Sequence, residues 1–218
     1  MTAQSQTPGR TTLLEAVNVL LTNIGEQPVD NLDNEQIQDA RIAQQTLLEF
    51  HKDGQTRGWS WNTEENYPFP IDTTKGEIEI PSNCLTFALN PYNYNGQFTL
   101  RGTRLYDRVN RTYKIDPMYS PVCADVIWLM SWDESPEAYN RWTTIRSARV
   151  FSTRMLGSDS LTQYTAIDEQ AALNELMQVQ LMQSQPNSLT GGPFSAPIPT
   201  YSPEYGLRRG VYGGVSLG

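Results

Sequence analysis

The sequence predicts an α+β protein: a four-helix bundle with a small antiparallel β domain inserted into it and an extended Gly/Pro-rich C-terminal tail. Three observations carry this. Apolar residues recur at three-four spacing up to residue 54 and again after Glu134. Between those stretches the spacing changes to alternation, broken by turn residues. At the first change stands Arg57-Gly58-Trp59-Ser60-Trp61, where a glycine that tolerates left-handed backbone can stop a helix beside two of the chain's five tryptophans.

Residues 1–66 read as the first half of the bundle. The polar lead-in closes with Pro8-Gly9, after which Thr11 or Thr12 can cap a helix carrying Leu13, Leu14, Ala16, Val17, Leu20, Leu21 and Ile24. Gly25 ends it. Asp30 to Asn34 offers caps for a second helix from about Glu35 to Gly54, with Ile37, Ala40, Ala43, Leu47, Leu48 and Phe50 as its apolar stripe. Joined by a loop of roughly ten residues, the two helices are expected to pack antiparallel if each face has only the other to bury against.

Residues 67–132 read as the inserted β module. Glu77-Ile78-Glu79-Ile80 alternates strictly, and Cys84–Leu89, Phe98–Leu100, Arg104–Tyr106, Thr112–Ile115 and Ala124–Met130 are short β-type runs. Asn90-Pro91, Asn95-Gly96, Arg101-Gly102 and Asp116-Pro117 supply turns, which gives five to seven strands. Pro68, Pro70 and Pro81 belong at sheet edges or strand entries, because proline cannot donate to a ladder.

Residues 133–184 complete the bundle. Ser135 is placed to cap a helix with Pro136 in its first turn, and Ala138, Trp142, Ile145, Ala148 and Phe151 continue one face to Gly157. A fourth helix, Ser160 to about Met182, carries Tyr164, Ile167, Ala171, Leu173, Leu176, Met177 and Val179. Residues 185–218 hold five prolines and seven glycines and are expected to form no regular structure alone. Phe194, Tyr201, Tyr205 and Tyr212, with Arg208 and Arg209, are the expected anchors of this tail on a partner.

Charge follows the same boundaries. The chain of 218 residues has a formal net charge of −8, with −6 on residues 1–66, 0 on 67–132, −3 on 133–184 and +1 on the tail. Such a balance disfavours a grip on nucleic acid, which needs clustered cations. Cys84 and Cys123 match no zinc spacing and read as free thiols in a reducing compartment. No apolar run reaches the length of a membrane span, and Met1 to Arg10 has no signal-peptide core, so synthesis and folding are expected in a cytoplasm.

Chemistry is sparse. There is no phosphate-binding Gly-Lys-Ser/Thr loop and no dinucleotide fingerprint. His51, the single histidine, sits between Phe50 and Lys52-Asp53 and reads as a surface residue. Glu64-Glu65 and Asp133-Glu134 read as capping and solvated groups rather than an acid/base pair. No cofactor, metal or catalytic residue is expected. Trp59, Trp61, Trp128 and Trp132 flank the crossings between helices and sheet and are expected to meet in one cluster. The 11 tyrosines suit strand packing better than a carbohydrate-binding face.

Ala16-Val17-Asn18, Ile24-Gly25-Glu26 with Pro28-Val29, Arg57-Gly58-Trp59 with Asn62 and Glu64-Glu65, Tyr106-Asp107-Arg108, and Glu134-Ser135-Pro136-Glu137 with Trp142, Ala148-Arg149 and Phe151 resemble, in order and spacing, tail tubular protein A of short-tailed bacteriophages. The resemblance implies a structural virion protein: a head-to-tail adaptor whose dodecameric ring docks under the portal protein, continues the DNA channel without specific binding, and receives the tubular nozzle protein and tail fibres. It implies assembly in the host cytoplasm and residence in the virion tail. Acidic helices would suit such a lumen, with some of Glu35, Asp39, Glu49, Asp53, Asp168, Glu169 and Glu175 expected to point inward. The rival reading is a binding module whose tyrosine-rich sheet recognises glycan or a partner peptide. A peptidoglycan-cleaving tail enzyme is the third, and lacks a convincing carboxylate pair.

Overall fold

A computed structural model describes residues 9–32, 38–89, 91–94, 96–157 and 164–184. The chain divides into two compact units, residues 1–183 and 184–218, and the second lies outside the described residues except for Ser184.

Helix α1, Leu13–Asn23, begins at a reciprocal capping box: the Thr12 hydroxyl accepts from the Glu15 amide, and the Glu15 carboxylate accepts from the Thr12 amide. It ends as Gly25 predicts. Gly25 is left-handed (φ 86°), and the Glu26 and Gly25 amides return to the carbonyls of Leu21 and Thr22. Helix α2, Gln38–Gln55, follows a loop in which Asn18 clasps the Val29 backbone through both its amide groups, at 2.8 and 2.9 Å. Helix α4, Glu137–Leu156, closes on left-handed Gly157, and α5, Ala166–Ser184, starts where Thr165 and Asp168 exchange side-chain-to-backbone hydrogen bonds.

Strands β1 (Thr63–Phe69), β5 (Val122–Trp128) and β2 (Cys84–Leu89) form an antiparallel sheet in the order β1-β5-β2. The central strand β5 alternates, burying Val122, Ala124, Val126 and Trp128. A second sheet is the hairpin of β3 (Phe98–Arg101) and β4 (Arg104–Asp107), which follows a one-turn helix α3, Pro91–Tyr94. Phe98 and Leu105 from the hairpin join Ile78, Ile80 and the buried face of β5 in one core.

Several expectations are corrected. Strand β1 begins at Thr63, ahead of the expected start of the β module at residue 67, while Pro68 lies in an edge strand as expected, where a missing donor costs no ladder bond. Ile78 and Ile80 are buried as the alternation requires, but Glu77–Ile80 meets β4 through backbone bonds at Ile78 and Ile80 and a single bridge at Glu79, without forming a strand. Thr112–Ile115 likewise pairs as one bridge, Thr112 to Asp107. The N-cap of α4 is Pro136, not Ser135, whose hydroxyl turns inward to the Ser131 carbonyl and His51.

The helical part also differs from four equal amphipathic rods. Helices α1, α2 and α4 pack on one another. Helix α4 is buried on nearly all sides, so its polar Asn140, Thr143, Thr144, Ser147 and Ser152 are inside together with Tyr139, Trp142, Ala148 and Phe151. Its periodicity was therefore a poor guide to which face is covered. Helix α5 buries only Ala172 and Leu176, while Ile167, Met177, Leu181 and Met182 from or beside the expected stripe are exposed. Leu48 of α2 is exposed as well.

Candidate functional site

Two regions of the described protein have the arrangement of working parts: the joint between helices and sheet, and the charged faces of the β module. The joint is built first by Gly54 and Gly58. Gly58 takes left-handed backbone (φ 72°), turning the chain out of α2 toward β1. At Gly54 a Cβ would stand 2.6 Å from the Tyr139 hydroxyl and 2.7 Å from the Trp142 ring, so only glycine lets α4 approach this closely.

Two buried amides complete the joint. Gln55 is fully buried and bonds the Met130 backbone twice, accepting from its amide at 2.8 Å and donating to its carbonyl at 3.0 Å. Asn62, 1% exposed, donates to the Trp128 and Gln55 carbonyls and accepts from the Trp59 amide, while its own carbonyl accepts from Trp128. Both crossings of the chain between helices and sheet are thereby fixed to the end of α2 by satisfied, water-excluded hydrogen bonds.

The four tryptophans do not form the expected single cluster. Trp132 belongs to the core of α1, α2 and α4, Trp128 to the core of the β module, and Trp59 and Trp61 to a third core with Tyr139, Trp142, Ala172 and Leu176. His51 and Tyr139 link two of these. The His51 ring lies 5.2 Å from Trp132 and 5.4 Å from Tyr139, whose ring is 5.1 Å from Trp61 and 6.0 Å from Trp59. The Tyr139 hydroxyl donates to the His51 carbonyl at 2.5 Å.

His51 itself corrects the surface reading: it is 3% exposed, held between Ser135 (3.1 Å) and Gln55 (3.2 Å). Burial without an opposite charge lowers its pKa to about 4. Burial raises the pKa of the Tyr139 phenol, against weaker hydrogen bonding and the nearby Arg146 and Arg57 charges. Glu134 is an exposed carboxylate that accepts from the Ser131 amide and hydroxyl, which lower its pKa; it closes the turn before α4 rather than capping the helix. Glu64 and Glu65 lie exposed on β1.

On the β module Tyr67, Tyr94, Tyr106, Tyr113 and Tyr119 each have an aromatic neighbour. Tyr67 stands beside Phe69 and Trp128, Tyr94 beside Phe98, and Tyr106 edge-on to Tyr113 at 5.0 Å. Sequence reasoning missed the arginines on the same hairpin. Arg101 stacks 3.6 Å over the Tyr106 ring and Arg104 4.3 Å over Tyr113. The signal was present as Arg101, Arg104, Arg108, Arg111 and Lys114 within fourteen residues, hidden by averaging charge over the whole module. Gln55 was also missed, as was the buried clasp of Asn62, although polar side chains flanking a helix stop are where such a clasp can form.

Cys84 and Cys123 are free and half-buried, with burial raising the Cys84 pKa. Among the described residues no group of His, Cys, Asp or Glu is arranged to hold a metal, and no helix is long and apolar enough to cross a membrane. The tail residues Phe194, Tyr201, Tyr205, Arg208, Arg209 and Tyr212 lie outside the described residues.

A search of curated proteins finds no match to this chain. A family model described as tail tubular protein, however, matches residues 14–186, from the second residue of α1 to just beyond the end of α5, and so takes in every element of the joint and both sheets. The chain belongs to the tail tubular protein family, structural proteins of the phage tail.

Proposed function

We propose that the protein is the ring-forming head-to-tail adaptor of a short-tailed phage, joining the portal protein to the tail nozzle and continuing the channel through which DNA leaves. The observation that carries this reading is the family match over residues 14–186. The copies form a dodecamer, tail fibres attach to the finished assembly, and the protein performs no catalysis and needs no cofactor. A rigid joint suits the role, because helical and β parts must keep one angle in every copy if a ring is to close.

The acidic lumen is revised in this proposal. Of its seven candidate carboxylates, Glu49 pairs with Arg154, Asp53 with Arg146, Glu169 with Arg146 and Arg149, and Glu175 with Arg141. Their fields are partly cancelled at short range. Asp39 and Asp168 have no ion pair among the described residues, so they would supply most of any repulsion of DNA; Glu35 lies outside the described residues.

The test is to mix the full chain with portal-bearing heads and measure mass and occupancy, beside a chain truncated after Ser184. The full chain is expected to saturate the portal, and the truncated one to fold but dock poorly if Phe194, Tyr201, Tyr205, Arg208, Arg209 and Tyr212 are anchors. A full-length monomer inert toward portals yet retained by glycan would overturn the adaptor in favour of the binding module.

A further inference from the structure

Resting on the ring reading, we infer that neighbouring copies of this chain meet through the Arg101/Arg104 hairpin face of one and the Glu64/Glu65 edge of the next. In β3–β4 the register sets Arg101 directly opposite Arg104, two like charges on one face, an arrangement that costs stability unless something negative lies nearby. Arg104 has Glu77 at 3.2 Å, but Arg101 has no carboxylate within ion-pair reach among the described residues. Both guanidiniums are exposed yet held flat on Tyr106 and Tyr113, so little side-chain entropy remains to be lost on docking.

Across β4 this face also carries Glu77 and the exposed Glu79, in a β-bridge with Arg104, whereas the one acid between the arginines and Lys114 in sequence does not reach it. Asp107 is 2% exposed; burial alone would raise its pKa, but hydrogen bonds from the Asn110 amide, Gln97, the Asn110 side chain and the Val109 amide outweigh that and lower it. Its charge is spent holding the turn. Arg101 is thus the cation of this face left without a carboxylate, preformed on its Tyr106 backing.

The complementary surface lies on the other sheet. Strand β1 is an edge strand, and a bulge between Glu64 and Tyr67 throws its chain outward, with Asn66 at φ 51° and its amide bound to Asp125 at 2.9 Å. Glu64, Glu65 and Asp125 are exposed, and none has an ion pair among the described residues. One chain therefore offers a hairpin face on which Arg104 is paired with Glu77 but Arg101 is not, and, on the other sheet, an anionic edge with no ion pair among the described residues. Two unlike, mutually complementary patches are what a head-to-tail contact requires, and repetition of such a contact closes a ring.

Charge exchange on the full chain tests this, read as copies bound per portal-bearing head. Arg101→Glu/Arg104→Glu and Glu64→Arg/Glu65→Arg should each lower occupancy by about tenfold or more, because each sets like charges against each other. The chain carrying all four changes should regain assembly, since its contact is restored with the signs exchanged. Recovery is the outcome a merely destabilised subunit would not give. Should a reversed chain fail to fold, Arg101→Gln/Arg104→Gln serves instead, with the expectation that occupancy falls and loses its salt dependence. Wild-type rings indifferent to either reversal, or a fourfold variant as poor as its parents, would overturn this contact alone. Wild-type copies that bind heads singly would overturn the ring reading itself. A hairpin reversal that abolishes retention of duplex DNA while occupancy stays full would reassign the face to nucleic acid.

Discussion

Five of the six ion pairs among the described residues tie α4 to α2 or α5, and one lies in the β module. The acid of the helices is largely consumed within the chain, above all by Arg146, which bridges Asp53 (3.0 Å) and Glu169 (3.7 Å) while lying over Phe50 and Trp142. The β module, with one ion pair, leaves Arg101 on the hairpin and Glu64, Glu65 and Asp125 on the other sheet without ion pairs among the described residues. The difference separates two tasks: charges that hold one subunit together, and charges left for a neighbour. It can be attacked from either side, and the helical side should respond more strongly in stability.

The largest effect is expected at Trp59. Its ring fills the third core and its Nε1 donates to the Gly54 carbonyl at 2.9 Å, so Trp59→Ala removes a buried aromatic and leaves that carbonyl unsatisfied. A loss of about 4 kcal/mol is expected in thermal or urea unfolding. An unchanged melting temperature would mean that the joint does not hold the subunit together.

Next is acidification. The folded pKa of His51, about 4, lies below its unfolded value of 6.5, so the unfolded chain binds the proton more tightly. Stability contributed by neutral His51 is complete above pH 6.5 and falls as pH drops toward 4, by about 3 kcal/mol in all. The groups packed around the ring, Ser135, Gln55, Trp132 and Tyr139, include no carboxylate that could compensate the imidazolium. Urea unfolding at pH 6.5 and 4.5 should therefore show a much smaller decline for His51→Gln than for the wild type. Equal declines would place the acid sensitivity elsewhere.

How far these features could be read from sequence depends on the range of the interaction behind them. The caps at Thr12 and Gly25, the stop at Gly58, the edge position of Pro68 and the alternating burial of Ile78 and Ile80 are set within a few residues, and local reasoning found them. His51, Gln55 and Asn62 take their character from partners 66 to 84 positions away, at Trp128, Met130 and Ser135. Beside Lys52 and Asp53, a histidine gives no local sign that it faces inward. Helix α4 failed for a related reason: a helix covered on most sides has no single face for periodicity to reveal. The hairpin arginines were visible all along, but that Arg104 meets Glu77 while Arg101 meets no carboxylate among the described residues is a property only of the folded chain.

A smaller change is expected at Glu169. Its carboxylate takes the Arg149 guanidinium at 2.7 Å and is mostly shielded from water, and with Ala172 and Leu176 it fastens α5 to α4. Glu169→Gln should cost about 1 kcal/mol, since the pair is only partly desolvated. Proteolysis should then cut within α5 before the rest of the subunit opens. Cleavage distributed as in the wild type would assign the attachment of α5 to its apolar contacts alone.

The smallest effect, close to zero, is the sharpest test of the division. Replacing Arg101 with glutamine removes a cation stacked on Tyr106, a contact worth about 0.5–1 kcal/mol at an exposed site. It also removes the repulsion from Arg104 directly across the hairpin, about 0.2–1 kcal/mol in the other direction. The two nearly cancel, so isolated Arg101→Gln subunits should unfold within about 0.5 kcal/mol of the wild type. The same variant should still assemble less well, because the charge it lacks is one that the subunit does not use for itself. A loss of several kcal/mol in the isolated subunit would show that the hairpin arginines stabilise the fold as the helical ion pairs do, and the distinction between the two regions would disappear.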